Sequence, residues 1–254
     1  MNEQEATAAT TESGPSLERA LTGDYQFSAG DVLREAWQRV AGNKGKIWLA
    51  LLAYILAAFA VSLLFSPFTS TGVESAEGMT PGTGLGDLLE NLVGTLVLAP
   101  IGAGIVFIGV AIASDSAVKA ASVFSWYDRM LPLFLTTLLM SILIGLGTLL
   151  LVLPGVYLAI SYQLALPLCA GRRMSPWEAM ETSRKIITHR WFTFFGIWLM
   201  LLLAIIVSAV LFGIPLIWVL PMAIIAVGIL YRDTVGADPQ SLARVAGEDG
   251  GMAA

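Results

Sequence analysis

Residues Trp191–Tyr231, WFTFFGIWLMLLLAIIVSAVLFGIPLIWVLPMAIIAVGILY, contain no Asp, Glu, Lys or Arg. A hydrocarbon core roughly 30 Å thick is crossed by about 20 apolar residues of helix, and this stretch is about twice that length. Gly213-Ile214-Pro215 interrupts it near the middle. Glycine adopts the left-handed conformation that ends a helix and proline withholds a backbone donor, so two antiparallel spans around a tight turn are expected.

Met130–Gly171 follows the same plan, uncharged and interrupted at Leu153-Pro154-Gly155, and Ile47–Val73 and Asn91–Ser114 are uncharged stretches long enough for one span each. The expected fold class is all-α: a polytopic membrane helix bundle with six transmembrane helices in three hairpins. The spans are expected near residues 47–66, 92–112, 131–151, 155–171, 191–211 and 214–231, within a membrane domain of residues 27–236. Tails at 1–26 and 237–254 are polar and rich in small residues, and disorder is expected there.

With six spans, all 14 Lys and Arg fall on the side that holds both termini. Cytoplasmic loops are enriched in these residues, so both termini are expected in the cytoplasm of a bacterium, with the chain multi-pass in the inner (plasma) membrane. The informative connection is the one after the first span. It has room for basic residues, yet its charges are Glu74, Glu77, Asp87 and Glu90. Trp37, Trp48, Trp126, Trp177 and Trp191, with Arg172 and Arg173, fall at the expected cytoplasmic boundary and are candidate interfacial anchors. Charged residues make up 13% of the chain, about half the soluble norm of roughly 25%, and nothing in their arrangement suits nucleic acid.

Ahead of the first span, Val32, Leu33, Ala36, Trp37, Val40 and Ala41 recur at helical spacing opposite Asp31, Arg34, Glu35, Gln38 and Arg39, the pattern of an interfacial amphipathic helix. Ahead of the fifth, Ser175-Pro176-Trp177-Glu178 has capping-box spacing. Trp177, Met180 and Ile187 then face away from Glu178, Glu181, Thr182, Lys185 and His189. Ser116–Asp128 is a weaker version ahead of the third. Each hairpin thus follows an interfacial helix, Ser28 stands as far ahead of Phe65 as Ser175 does of Phe212, and the second spans carry Pro100, Pro167 and Pro221. Small residues four apart, at Ala53/Ala57, Ala58/Ser62, Gly109/Ala113, Ser141/Gly145 and Ala204/Ser208, are the expected helix contacts.

Catalysis and metal binding draw on His, Cys, Asp and Glu, but the chain has one His, one Cys and no acid inside any expected span. No catalytic, metal or cofactor site is expected. Cys169 is read as a small apolar filler near the cytoplasmic end of span four. The intramembrane polar candidate is Ser161-Tyr162-Gln163 with Pro167. That proline frees a carbonyl, which either receives a ligand or bonds to a neighbouring helix.

Leu153-Pro154-Gly155-Val156-Tyr157-Leu158-Ala159, then Leu164-Ala165-Leu166-Pro167, then Met174-Ser175-Pro176-Trp177-Glu178-Ala179-Met180-Glu181-Thr182-Ser183-Arg184 form a recognisable pattern. It resembles the YciC-like group of uncharacterised bacterial six-span inner-membrane proteins and the membrane domain of membrane-anchored glycerophosphodiester phosphodiesterases. The resemblance implies the six-span fold. It implies no hydrolase, since the soluble phosphodiesterase domain and its acidic and histidine ligands are missing. The expected role is a non-enzymatic membrane protein that organises the bilayer or binds a lipid or protein partner, with anionic lipid or another membrane protein as candidate partners. The alternative is a permease or channel for an uncharged or small solute through a neutral polar pathway.

Overall fold

A computed structural model describes residues 15–68 and 84–248, and these residues are all helix, turn and loop. Six helices are long and apolar enough to cross a membrane. In chain order the helices are α1 Leu17–Thr22, α2 Ala29–Val40, α3 Lys44–Phe65, α4 Leu85–Ala113, α5 Met130–Leu150, α6 Val152–Ser161, α7 Ala165–Gly171, α8 Pro176–Thr188, α9 Trp191–Val210, α10 Leu216–Val235 and α11 Pro239–Ala246. Helices α6 and α7 together make the fourth apolar segment.

Burial sorts the six into two sets. In the apolar stretches of α3, α5 and α9, 11%, 17% and 22% of residues are buried, against 72% in α4 and 50% in both α6–α7 and α10. Each outer helix is followed in sequence by an inner one, and Pro100, Pro167 and Pro221 of the inner helices are all buried. The tightest inner contact joins α4 to α10. A Cβ on Gly228 would lie 2.2 Å from the Gly109 carbonyl carbon, and one on Gly109 would lie 2.4 Å from the Ile224 carbonyl oxygen, so only glycine lets these backbones meet.

The turns follow local chemistry. Between α9 and α10, Phe212 and Gly213 take φ of 57° and 76°, and Pro215 caps the next helix as its sequence suggests. The α5–α6 turn falls earlier than expected. Leu151 alone is extended, and Pro154 lies in the first turn of α6, where its missing N–H has no helical partner to lose. Helix α4 also begins at Leu85 rather than near 92, because Asp87 accepts the Gly84 N–H at 3.1 Å and starts it early.

Several expectations need correction. Ser116–Asp128 forms two short 3₁₀ turns, Ala120–Phe124 and Tyr127–Arg129, rather than an amphipathic α-helix. A Cβ on Gly104 would lie 2.5 Å from the Val123 Cα, so this segment lies tight against α4. Of the tails expected to be disordered, Leu17–Thr22 and Pro239–Ala246 are helical, with Ala20, Tyr25, Ser241 and Val245 buried, and residues 1–14 and 249–254 lie outside the described residues. At the C-terminal end Asp238 caps α11 by accepting the Ser241 N–H at 3.0 Å, with Pro239 in the first turn. Of the small-residue pairs, Gly109 and Ala113 are buried, but Ser141 and Gly145 are exposed. Gly147 makes the close approach instead, 3.2 Å from Gly155 for an added Cβ.

Candidate functional site

Pro167 withholds the N–H that the Gln163 carbonyl would accept in a continuous helix, and the fourth apolar segment parts at Tyr162-Gln163-Leu164. Ser183 of α8 closes the gap. Its hydroxyl donates to the Ser161 carbonyl at 2.7 Å and accepts the Leu164 N–H at 3.2 Å, with Ser161 and Ser183 fully buried. Tyr162 is buried with Ala165 and Met180 in a small core completed by Leu139, Met140, Leu143, Ile144 and Leu158. Gln163 Oε1 accepts from the Trp198 indole of α9. The proposed polar site is therefore brought together, and the Ser161 carbonyl, the Leu164 N–H and Gln163 Oε1 are engaged by neighbouring helices, while Ser161 Oγ and Gln163 Nε2 are buried without a partner among the described residues.

Pro221 leaves the Ile217 carbonyl without its helical donor, and the Trp48 indole donates to it at 3.0 Å. Beside Pro100, the Val97 carbonyl accepts the Tyr127 hydroxyl at 2.9 Å. In all three cases an aromatic donor, Trp198, Trp48 or Tyr127, reaches the inner helix of another pair.

These bonds redefine the expected anchors. Trp48 is an interhelical donor. Trp191 stacks on Tyr157 at 6.0 Å and on Phe195 at 5.0 Å. Trp126 is buried, stacked on Phe107 at 4.3 Å with the Arg244 guanidinium 5.3 Å from its ring, so it belongs to the core rather than to an interface. Trp37 and Trp177, expected as interfacial anchors, are 56% and 63% exposed. The buried residues are Val32, Ala36 and Val40 on α2, all on the expected stripe, and on α8 the expected Met180 and Ile187 together with Ala179, Ser183 and Ile186.

The amphipathic helices run lengthwise along inner helices. From Glu35 to Trp48 the chain follows α10 back from Arg232 to Ile217, with Lys44 5.4 Å from the Trp218 ring. Helix α8 likewise follows α6 from the break to Tyr157, whose hydroxyl lies 2.8 Å from Thr188 Oγ1. They are packed on the protein over their length, not laid across one end of it.

Arginines cap the helix ends. Arg39 donates to the Ile112 carbonyl at 2.7 Å and Arg232 to the Ala113 carbonyl, at the electronegative C-terminus of α4. Arg172 does the same for α10, 2.9 Å from the Val235 carbonyl, whereas the neighbouring Arg173 is exposed at φ 54°. Glu35 lies between Arg232 and Arg39, at 2.7 Å and 2.8 Å, and Asp115 pairs with Arg39 at 2.6 Å. The hydrogen bond from Arg232, then its charge and that of Arg39, hold the Glu35 carboxyl below the usual range despite partial burial. On α8, Arg184 grips Glu181 through two hydrogen bonds of 2.9 and 2.7 Å, closer than the expected Lys185 partner at 3.7 Å.

One cavity opens among the apolar helices. It measures about 540 Å³ and lies between α3, α4, α5 and α7, lined by Tyr54, Glu90, Asn91, Thr95, Thr137 and Leu166 among others. Gln163 does not line it. Sequence reading placed Glu90 in an outer loop and missed this site, as it missed Ser183 and Trp198. The available signal was the run from Ile47 to Val118, which contains acids but no Lys or Arg.

Compared with protein-family models, with curated proteins and with solved structures, the chain matches none.

Proposed function

We propose that this chain is a non-enzymatic, multi-pass protein of the bacterial inner membrane, with both termini cytoplasmic, that organises the bilayer or holds a lipid or protein partner. The observation that carries this reading is the fate of the intramembrane polar groups. The Ser161 carbonyl, the Leu164 N–H, Gln163 Oε1 and the Ile217 carbonyl left by Pro221 all bond to an adjacent helix, which takes up much of what a polar pathway would use. The resemblance to the YciC-like group accords with this role.

The same packing supports a three-unit arrangement, each unit an amphipathic or 3₁₀ segment followed by a hairpin. The segment of unit one lies on the inner helix of unit three, that of unit two on the inner helix of unit one, and that of unit three on the inner helix of unit two. This order closes a ring. In it, α2 and α8 lie on the cytoplasmic side, packed on α10 and on α6–α7.

A permease or channel for a small uncharged solute remains the second reading, favoured by the cavity beside Thr137. Proteoliposome swelling in glycerol and urea separates the two. Rates equal to those of empty liposomes are expected. A solute flux abolished by Gln163→Leu or Gly102→Leu in folded protein overturns the scaffold reading.

A further inference from the structure

The cavity between α3, α4, α5 and α7 has a polar end and an apolar end. Helix α4 is 29 residues long, about 43 Å at 1.5 Å per residue, and exceeds the roughly 30 Å hydrocarbon core. Its C-terminus is fixed among Arg39, Arg232 and Asp115. Toward the N-terminus of α4, the end far from that arginine cluster, Glu90 and Asn91 form the polar end of the cavity. From there the cavity deepens along Gly94, Thr95 and Leu98 to Gly102, Thr137 and Leu166, toward the middle of the bilayer.

The polar end is acidic and supplies mainly hydrogen-bond acceptors. Asn91 donates to the Asp87 carbonyl at 2.8 Å, Thr95 to the Asn91 carbonyl at 2.7 Å and Thr137 to the Leu133 carbonyl at 3.0 Å. Both threonine hydroxyl protons are thereby used within the helices, which leaves oxygen lone pairs. The half-buried Glu90 makes no ion pair or hydrogen bond among the described residues, unlike Asp87, which is engaged at the helix cap. No Lys or Arg lies between Ile47 and Val118 to neutralise it. The volume is in the range of roughly 300–1,000 Å³ typical of small-ligand clefts.

We propose that this cavity binds a phospholipid with a primary-ammonium headgroup, phosphatidylethanolamine in chemical class. The ammonium donates to the Glu90 carboxylate, and an acyl chain lies along Leu98, Gly102 and Leu166. The proposal deepens the partner-binding role above and rests on its six-span reading. A charge-assisted N–H···O bond selects this headgroup over phosphatidylcholine, which has no N–H, and over anionic phosphatidylglycerol, which the carboxylate repels.

The test titrates delipidated full-length protein in detergent with each of the three lipids and reads binding by native mass spectrometry. Wild-type protein is expected to prefer phosphatidylethanolamine. Glu90→Gln is expected to lower that affinity about tenfold relative to phosphatidylcholine, the effect of one hydrogen bond to a charged group. Gly102→Leu, whose new side chain enters the cavity, is expected to weaken all three lipids. Ala58→Leu narrows the groove from α3 and substitutes for it if that variant does not fold. Equal binding of phosphatidylglycerol by the wild type, an unchanged preference in Glu90→Gln, or undiminished binding in a folded cavity-filled variant overturns the proposal. Because no flux is measured, a transport result that overturns the scaffold role leaves this outcome separately decided.

Discussion

Ser183 shows how a single hydroxyl fixes the architecture. It satisfies a donor and an acceptor exposed where the fourth apolar segment breaks, both fully buried. Ser183→Ala should therefore lower stability by about 1–3 kcal/mol, the cost of leaving such groups unpaired, read by thermal unfolding in detergent. Its importance was not legible in the sequence. Ser183 sits between residues of the apparent polar stripe of α8, and only the break opposite it gives the hydroxyl a task. Gly228 was hidden similarly, since its partner Gly109 is distant in sequence. Gly228→Ala places a Cβ 2.2 Å from the Gly109 backbone and should destabilise by more than about 1–3 kcal/mol, the usual range for overpacking. Gly145→Ala meets no atom within 4 Å and should be neutral or stabilising.

Glu35 adds a pH dependence at the same scale. Its folded-state pKa is lowered, so its stabilising contribution is present above the ordinary glutamate value of about 4.3 and is lost as pH falls through the depressed folded value. Thermal unfolding followed from pH 7 to pH 3 should show a drop in midpoint across that window. Glu35→Gln should be less stable at pH 7 and should show a shallower drop. An identical acid profile for the two proteins would show that the Arg39–Glu35–Arg232 cluster contributes nothing.

At the scale of elements, helices were legible where composition alone determines them. Uncharged length marks six apolar helices whatever they pack against, and Gly213 and Pro215 mark a turn because both are used there as their chemistry prefers. Pro154 misled because the first turn of a helix accepts proline as readily as a loop does. The periodicity of α2 and α8 was sound, but the side that is buried depends on an inner helix far away in sequence. Trp37 and Trp177 share the apolar stripes but stay exposed, whereas small Ala36, Ala179 and Ser183 are buried. The α3–α10 bond can be checked at this scale. Trp48→Phe keeps the ring and removes the 3.0 Å donor to Ile217, and should cost about 0.5–1.5 kcal/mol.

At the scale of the whole molecule, the basic residues have a structural task. Arg39, Arg172 and Arg232 hold the C-termini of α4 and α10, and these ends gather at one pole with the most buried part of the structure. At the other pole apolar side chains are exposed, Phe212 at 95% and Leu149 at 83%, as expected of surface facing lipid. The most direct test of the account is the sidedness of these poles in intact cells. Background labelling is limited because the single native cysteine, Cys169, is buried. Cysteines placed at Phe212 and Leu151 should react with a membrane-impermeant maleimide added from outside, and cysteines placed at Gly42 and Arg173 should react only after the membrane is opened. External labelling of Gly42→Cys or Arg173→Cys, or protection of Phe212→Cys until lysis, would contradict the six-span arrangement with the arginine-capped pole in the cytoplasm.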